Sequence, residues 1–292
     1  LAGLLAAPET TRRTRAGEPV PPGEGPLLIL DADDPAADDA KRGLHAWCHE
    51  SGPDGSAWLG GTGANERAFR LDSPPPMVVS FYTLGTAYEA EAEGLRAGCE
   101  SLGIACDVRG VAPRGSWEAN CAMKAEFVRE RWREHAVGVV WVDADARFAR
   151  PPDLLRAGGF DFAVHRCDGW QFASGTVCFW PTPRAGALLD AWADACAADP
   201  RRWDQVSLDL AWERTLPGGL RTLWLPQAYT KIFDRPPQDP SGSDPVITHH
   251  QASRRLKATI STETPTPVRP PDRALMRARR ASRPRTPEEL AG

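Results

Sequence analysis

Val139-Val140-Trp141-Val142-Asp143-Ala144-Asp145-Ala146-Arg147-Phe148 is a run of four large apolar residues that ends in two carboxylates. A short apolar run bounded by polar residues reads as a strand buried on both faces. The chain before it has the same pattern. Met77 to Thr83 (MVVSFYT) is a buried-strand word, Tyr88 to Leu102 a helix, and Ala105 to Val111 a second strand. Trp117 to His135 is a long helix carrying Lys124, and Val137 to Val142 is the third strand. The order β-α-β-α-β implies a parallel sheet with right-handed crossovers.

Ligands of open α/β sheets bind at the carboxyl ends of strands, and Asp143 and Asp145 stand at such an end. Alternation along an extended chain points both the same way. Two such carboxylates suit a hard divalent cation, Mg²⁺ or Mn²⁺. A second Asp-Ala-Asp, at Asp31 and Asp33 after Leu27 to Leu30, has no β-α unit before it. It reads as a solvated acidic loop with Asp34, Asp38 and Asp39. An aspartate-nucleophile phosphatase would want Thr or Val at position 35, which is Pro.

Beyond Asp145 the elements become mixed. Strands are expected at 160–164, 174–180, 220–225 and 245–250, and helices at 184–197 and 204–215. Residues 1–75 are rich in Gly, Pro, Ala, Asp and Ser and read as irregular, with one strand and one short helix. Residues 258–292 form a basic, proline-rich stretch expected to be disordered. The folded domain is therefore expected over 76–257.

The 292 residues are 41% hydrophobic and 25% charged, ordinary for a globular protein. A net charge of -4 lacks the basic footprint of a nucleic-acid binder. No stretch reaches the roughly 20 apolar residues of a membrane span. Seven scattered Cys form neither a disulfide framework nor a zinc site, and His45 with His49 has no second cluster at finger spacing. This fits a reducing, cytoplasmic setting. The chain begins with Leu, and a targeting segment preceding it would place it in the secretory lumen instead.

Six words in order carry a family resemblance: VVSFYT, MKAEFVRERW leading into VVWVDADARF, FASGTVCFWPT, WDQVSLDLAW, LPQAYTKIF and VITHHQASRRLK. From Met77 to Lys257 the chain resembles the GT-A type nucleotide-diphospho-sugar transferases, in their glycogenin-like and galactosyltransferase-like branch. The resemblance implies an α/β fold: a single Rossmann-like domain with a mixed, mostly parallel sheet flanked by helices. It implies a glycosyltransferase that moves a sugar from a nucleotide-sugar donor, a UDP-sugar, to a hydroxyl of a glycan, protein or small-molecule acceptor, with retention of configuration as a secondary expectation.

It also implies roles. Asp143 and Asp145 would form the D-x-D pair and hold Mn²⁺ or Mg²⁺. His249 or His250 would be the third ligand, and alignment of VITHH favours His249. Phe81, Tyr82 and Thr83 would hold the nucleobase and ribose, and Lys124, Ser174 and Gly175 the donor. Asp204 and Gln205 would lie at the reacting carbon. The Gly and Lys-Pro-Trp usual after that His are absent, so Arg255 or Lys257 would grip phosphate. Two rivals stay open. One is a GT-A-like domain that only binds nucleotide or glycan. The other is a metal-dependent phosphatase or nucleotidyltransferase, although the loop Leu84 to Tyr88 lacks the Gly-rich basic text of the latter.

Overall fold

The computed structural model describes residues 73–157, 159–167, 171–215, 218–225, 227–235 and 244–260, together with four strands within the first 70. Those four are β1 (Leu27–Asp31), β2 (Trp47–Glu50), β3 (Ala57–Gly60) and β4 (Glu66–Arg70), paired as a sheet of their own in the order β2-β3-β1-β4. The sequence reading expected one strand there. The other three are four- and five-residue words in Gly-rich text, too short to show a period. Asp33, Asp34, Asp38, Asp39 and His45 lie outside the described residues.

The main sheet is built on β5 (Met77–Thr83), β6 (Cys106–Val111), β7 (Val139–Val142), β9 (Phe162–Cys167), β10 (Gln171–Phe179) and β11 (Thr222–Trp224). Its order is β11-β9-β10-β7-β5-β6. β10 runs antiparallel to both neighbours; the β11–β9, β7–β5 and β5–β6 pairings are parallel. The fold is thus α/β with a mixed, mostly parallel sheet, as the family resemblance implied. A third, small sheet, β12-β13-β8, joins β8 (Ala146–Phe148), β12 (Lys231–Ile232) and β13 (Ile247–His249).

Strand alternation divides the core into two layers. Val78, Val140 and Val142 face one side, where they meet Leu95 and Cys99 of helix α1 (Tyr88–Ser101). Val79, Val139 and Trp141 face the other, with Val128 of α2 (Trp117–Glu134), Leu188 and Trp192 of α3 (Pro183–Ala198) and Trp212 of α4 (Asp204–Thr215). All four residues of β7 are buried, because helices cover both faces. The helix starts follow from sequence: Ser116 caps α2 by accepting from the Ala119 amide, and Thr182 caps α3 from Ala185, with Pro183 at the first turn. Among the described residues, Trp141, Trp180, Trp192, Trp212 and Trp224 are buried in the core.

Helix α5 (Ser253–Ile260) follows β13 and passes three residues beyond the expected domain end at 257. The remainder of the proline-rich stretch lies outside the described residues. No helix among the described residues is long and apolar enough to cross a membrane. Five cysteines described there, Cys99, Cys106, Cys121, Cys178 and Cys196, are free thiols.

Candidate functional site

Strand β7 stops at Val142, and Asp143-Ala144-Asp145 is a turn rather than extended chain, closed by the Ala146 amide bonding to the Asp143 carbonyl at 2.9 Å. Strand alternation was therefore the wrong reason for expecting two convergent carboxylates. The turn brings them together. It leads into β8, which pairs with β13 so that His249 lies opposite Ala146. That register sets an imidazole beside the second carboxylate. Oxygens of Asp143 and Asp145 and a nitrogen of His249 all lie within 4.8 Å of one another, a group able to hold a metal ion.

Backbone fixes Asp145. The Ala252 amide donates to its Oδ2 at 2.5 Å and the His250 amide to its carbonyl at 3.2 Å. The chain makes this wrap through Gln251, whose φ of 53° is the left-handed conformation that non-glycine residues rarely adopt.

The His249 ring is buried, and its Nε2 lies 2.9 Å from Thr176 Oγ1. Its Nδ1 lies toward Asp143: a Cβ on Gly175 would sit 3.0 Å from Nδ1 and 3.1 Å from Asp143 Oδ2. The space between ligand atoms thus exists because position 175 has no side chain. His250 points elsewhere, exposed and stacked on Phe233. Strand β13 ends at His249, and it is His249 that lies beside the acids.

Lys124, on α2, is buried between two carboxylates, 3.1 Å from Asp143 Oδ1 and 2.7 Å from Asp204 Oδ2. Ser174 Oγ donates to the same Asp204 oxygen at 2.8 Å. The Trp141 indole donates to Asp143 Oδ1 at 2.8 Å, and Lys124 Nζ sits 5.2 Å from the centre of that ring. Asp143 Oδ1 is therefore occupied by protein donors, while Oδ2 faces His249.

Three carboxylates against one ammonium leave the site short of positive charge, and the titration directions show it. Burial works against Lys124, but Asp143 and Asp204 hold it well above its usual value. Burial also works against Asp143, yet Lys124, His249 and the Trp141 bond together keep it below 3.8. Burial and the charge of Asp143 push Asp145 up to about 6. Burial pulls His249 down to about 4, although Asp143 opposes this. The histidine is thus neutral at pH 7, as a ligand must be. Two hard oxygens, one imidazole and a missing positive charge fit a divalent cation such as Mn²⁺ or Mg²⁺.

These groups form one wall of a cleft of about 400 Å³, which Phe81, Tyr82 and Thr83 at the carboxyl end of β5 also line. Lys124, Ser174, Gly175, Asp204 and Gln205 line it too. Phe81 lines the cleft while packing against Phe127 and Trp141, with ring centres 5.3 and 5.2 Å away. The Asp204 carboxylate serves Lys124 and Ser174. Of the expected residues only Lys257 is not placed, because its side chain lies outside the described residues. Arg255 pairs with Glu91 at 3.0 Å.

Sequence reading missed Trp141, Thr176 and Gln251, and the aromatic lining from Tyr88, Trp117 and Trp203. Trp141 and Thr176 were within reach of strand periodicity, each two residues from a named site residue. Cys121 also lines the cleft; burial and Asp204 push its thiol well above its usual value, so it stays protonated.

No family model matches the chain, and no curated protein is similar enough to be matched. Among solved structures, it is similar to a glycosyltransferase involved in the glycosylation of the major capsid of PBCV-1, at 12% identity, covering 61% of this chain and 93% of that one with a TM-score of 0.47. It is similar also to the apo form of the glycosyltransferase GlyE of Streptococcus pneumoniae TIGR4, at 15% identity, covering 61% and 54% with a TM-score of 0.41.

Proposed function

We propose that the chain transfers a sugar from a nucleotide-sugar donor of the UDP-sugar class to an acceptor hydroxyl, and that Asp143, Asp145 and His249 hold the divalent cation this needs. One observation carries the reading. A carboxylate pair and a neutral imidazole converge, short of positive charge, in a cleft at the carboxyl ends of β5 and β7. A nucleotide sugar brings a diphosphate, whose charge cannot enter that acidic wall without a cation between them. When bound, the cation supplies Lewis-acid charge to the diphosphate as it leaves.

The remaining roles fall to the chain's own groups. Thr83 and Tyr82 line the cleft at the β5 end and would hold the base and ribose beside the Phe81 cluster. Gly175 lets the donor approach the backbone of β10 closely. Asp204 is engaged by Lys124 and Ser174, so its role is to orient the donor sugar or acceptor hydroxyl. Gln205 offers an amide, a poor nucleophile. A same-face displacement needs none: the bond from C1 to the phosphate oxygen breaks, the bond to the acceptor oxygen forms, and the leaving phosphate takes the acceptor's proton. That course gives retention.

The test is UDP release from a panel of UDP-sugars with Mn²⁺, with and without candidate acceptors. The wild type should release UDP from at least one donor and Asp145→Ala from none. Donor binding without turnover would instead mark a binding domain, and equal turnover by Asp145→Ala would overturn the cation site.

A further inference from the structure

Arg147 stands two residues beyond Asp145, and its side chain folds back over the acidic turn. Nη1 donates to the Ala146 carbonyl at 2.8 Å and lies 3.5 Å from that of Ala144. Nη2 pairs with Glu91 on α1 at 2.9 Å. The other oxygen of Glu91 takes Arg255, 3.0 Å away on α5, the helix just beyond the loop that holds Asp145. One carboxylate therefore links the two segments that bring the ligands together, residues 143–147 and 249–255, without being a ligand itself. Its side chain is only 17% exposed, unlike an ordinary surface pair.

Gly94 sits one turn along α1 from Glu91. A Cβ built there would lie 2.3 Å from Arg147 Nη2 and 2.4 Å from Cζ. A glycine inside a helix costs about 0.5–1 kcal/mol relative to alanine. Here it leaves the volume that the guanidinium occupies.

We propose that Glu91 and Arg147 are positioning residues that lock the Asp143-Ala144-Asp145 turn in its cation-binding shape, and that Gly94 is required because it admits the Arg147 guanidinium. This rests on the cation reading above. Planarity matters: guanidinium spans a carbonyl and a carboxylate at once, which an ammonium does not do with the same geometry. Groups that orient ligands from behind typically change metal affinity by about 10–100-fold when removed.

Gly94→Ala is the sharpest test, because it changes no charge and touches no ligand. The obstructed atoms are the end of a flexible side chain, so the arginine is displaced and the helix gains a better former. The expected result is Mn²⁺ binding weaker by about tenfold in calorimetry of the full chain, with a Tm equal to or above wild type. Glu91→Gln should weaken Mn²⁺ similarly, which keeps the test open if the alanine variant unfolds. Unchanged affinity in both variants would overturn the proposal. If the wild type itself binds no Mn²⁺, the cation reading fails, and hydrogen exchange of the Ala146 and Ala252 amides decides the lock separately. Faster exchange in Gly94→Ala would support it, and unchanged exchange would overturn it.

Discussion

Thr176 Oγ1 lies 2.9 Å from His249 Nε2, and this contact decides which ring nitrogen is left for the cleft. For Nδ1 to take a cation, Nε2 must carry the proton and donate it to Thr176. Thr176→Val keeps the shape and removes the acceptor. It should weaken Mn²⁺ binding by about tenfold and cost about 1–3 kcal/mol of stability, because a buried donor loses its partner. Thr176→Ser should restore most of both. Calorimetry and thermal unfolding read the two effects; a valine variant that binds as wild type would show that the Thr176 contact does not set the ligand nitrogen.

Gly175 makes a steric prediction. The alanine Cβ would lie 2.9 Å from His249 Cε1 and 3.1 Å from Asp143 Oδ2. Neither neighbour is free to retreat: Thr176 holds the ring and Trp141 holds the carboxylate. Gly175→Ala should lower Mn²⁺ affinity by about tenfold or more, at about 1–3 kcal/mol of overpacking. Normal affinity would mean the cation sits away from Gly175.

Lys124 neutralises two acids that otherwise face each other unpaired. Lys124→Met should destabilise the chain by about 3–5 kcal/mol, since breaking a buried pair strands the partner charge. Mn²⁺ should then raise Tm more in the variant than in the wild type, because a cation replaces part of the lost charge. A variant as stable as wild type in EDTA would show that the bridge contributes little.

The pH behaviour has a definite sign. Asp145 titrates in the fold at about 6 and ordinarily at 3.8. Its contribution to stability is complete below the ordinary value and is lost as pH rises through about 6. His249, depressed from 6.5 to about 4, works oppositely: its contribution is present above 6.5 and lost as pH falls through about 4. In EDTA, wild type should therefore lose stability relative to Asp145→Asn as pH rises from about 4 to 6. Mn²⁺ affinity should fall as pH drops below about 6, where the carboxylate takes a proton. Parallel stability curves for the two proteins would contradict the raised Asp145.

Much of this arrangement was legible in sequence because period and order encode it. Four apolar residues before Asp143 marked a central strand, and the β-α-β-α-β order gave the parallel part of the sheet. Alignment of VITHH favoured His249 over His250. What was not legible depended on chain reversal and distant pairing. The convergence of Asp143 and Asp145 comes from a turn, and the approach of His249 from a pairing of β8 with β13 about a hundred residues apart in the chain. Lys124 reads in sequence as a helical lysine of either fate; only packing shows Asp143 and Asp204 on either side of it. Glu91 and Gly94 lie in an unremarked stretch of helix, and nothing local connects them to the acids.

The cation site is tested most directly by a titration of UDP into the full chain, first with Mn²⁺ and then with EDTA, repeated on Asp145→Ala. The expected result is heat of binding for the wild type with Mn²⁺, and its loss with EDTA or in the variant. Equal UDP binding in EDTA, or undiminished binding by Asp145→Ala with Mn²⁺, would contradict a cation held by Asp143, Asp145 and His249.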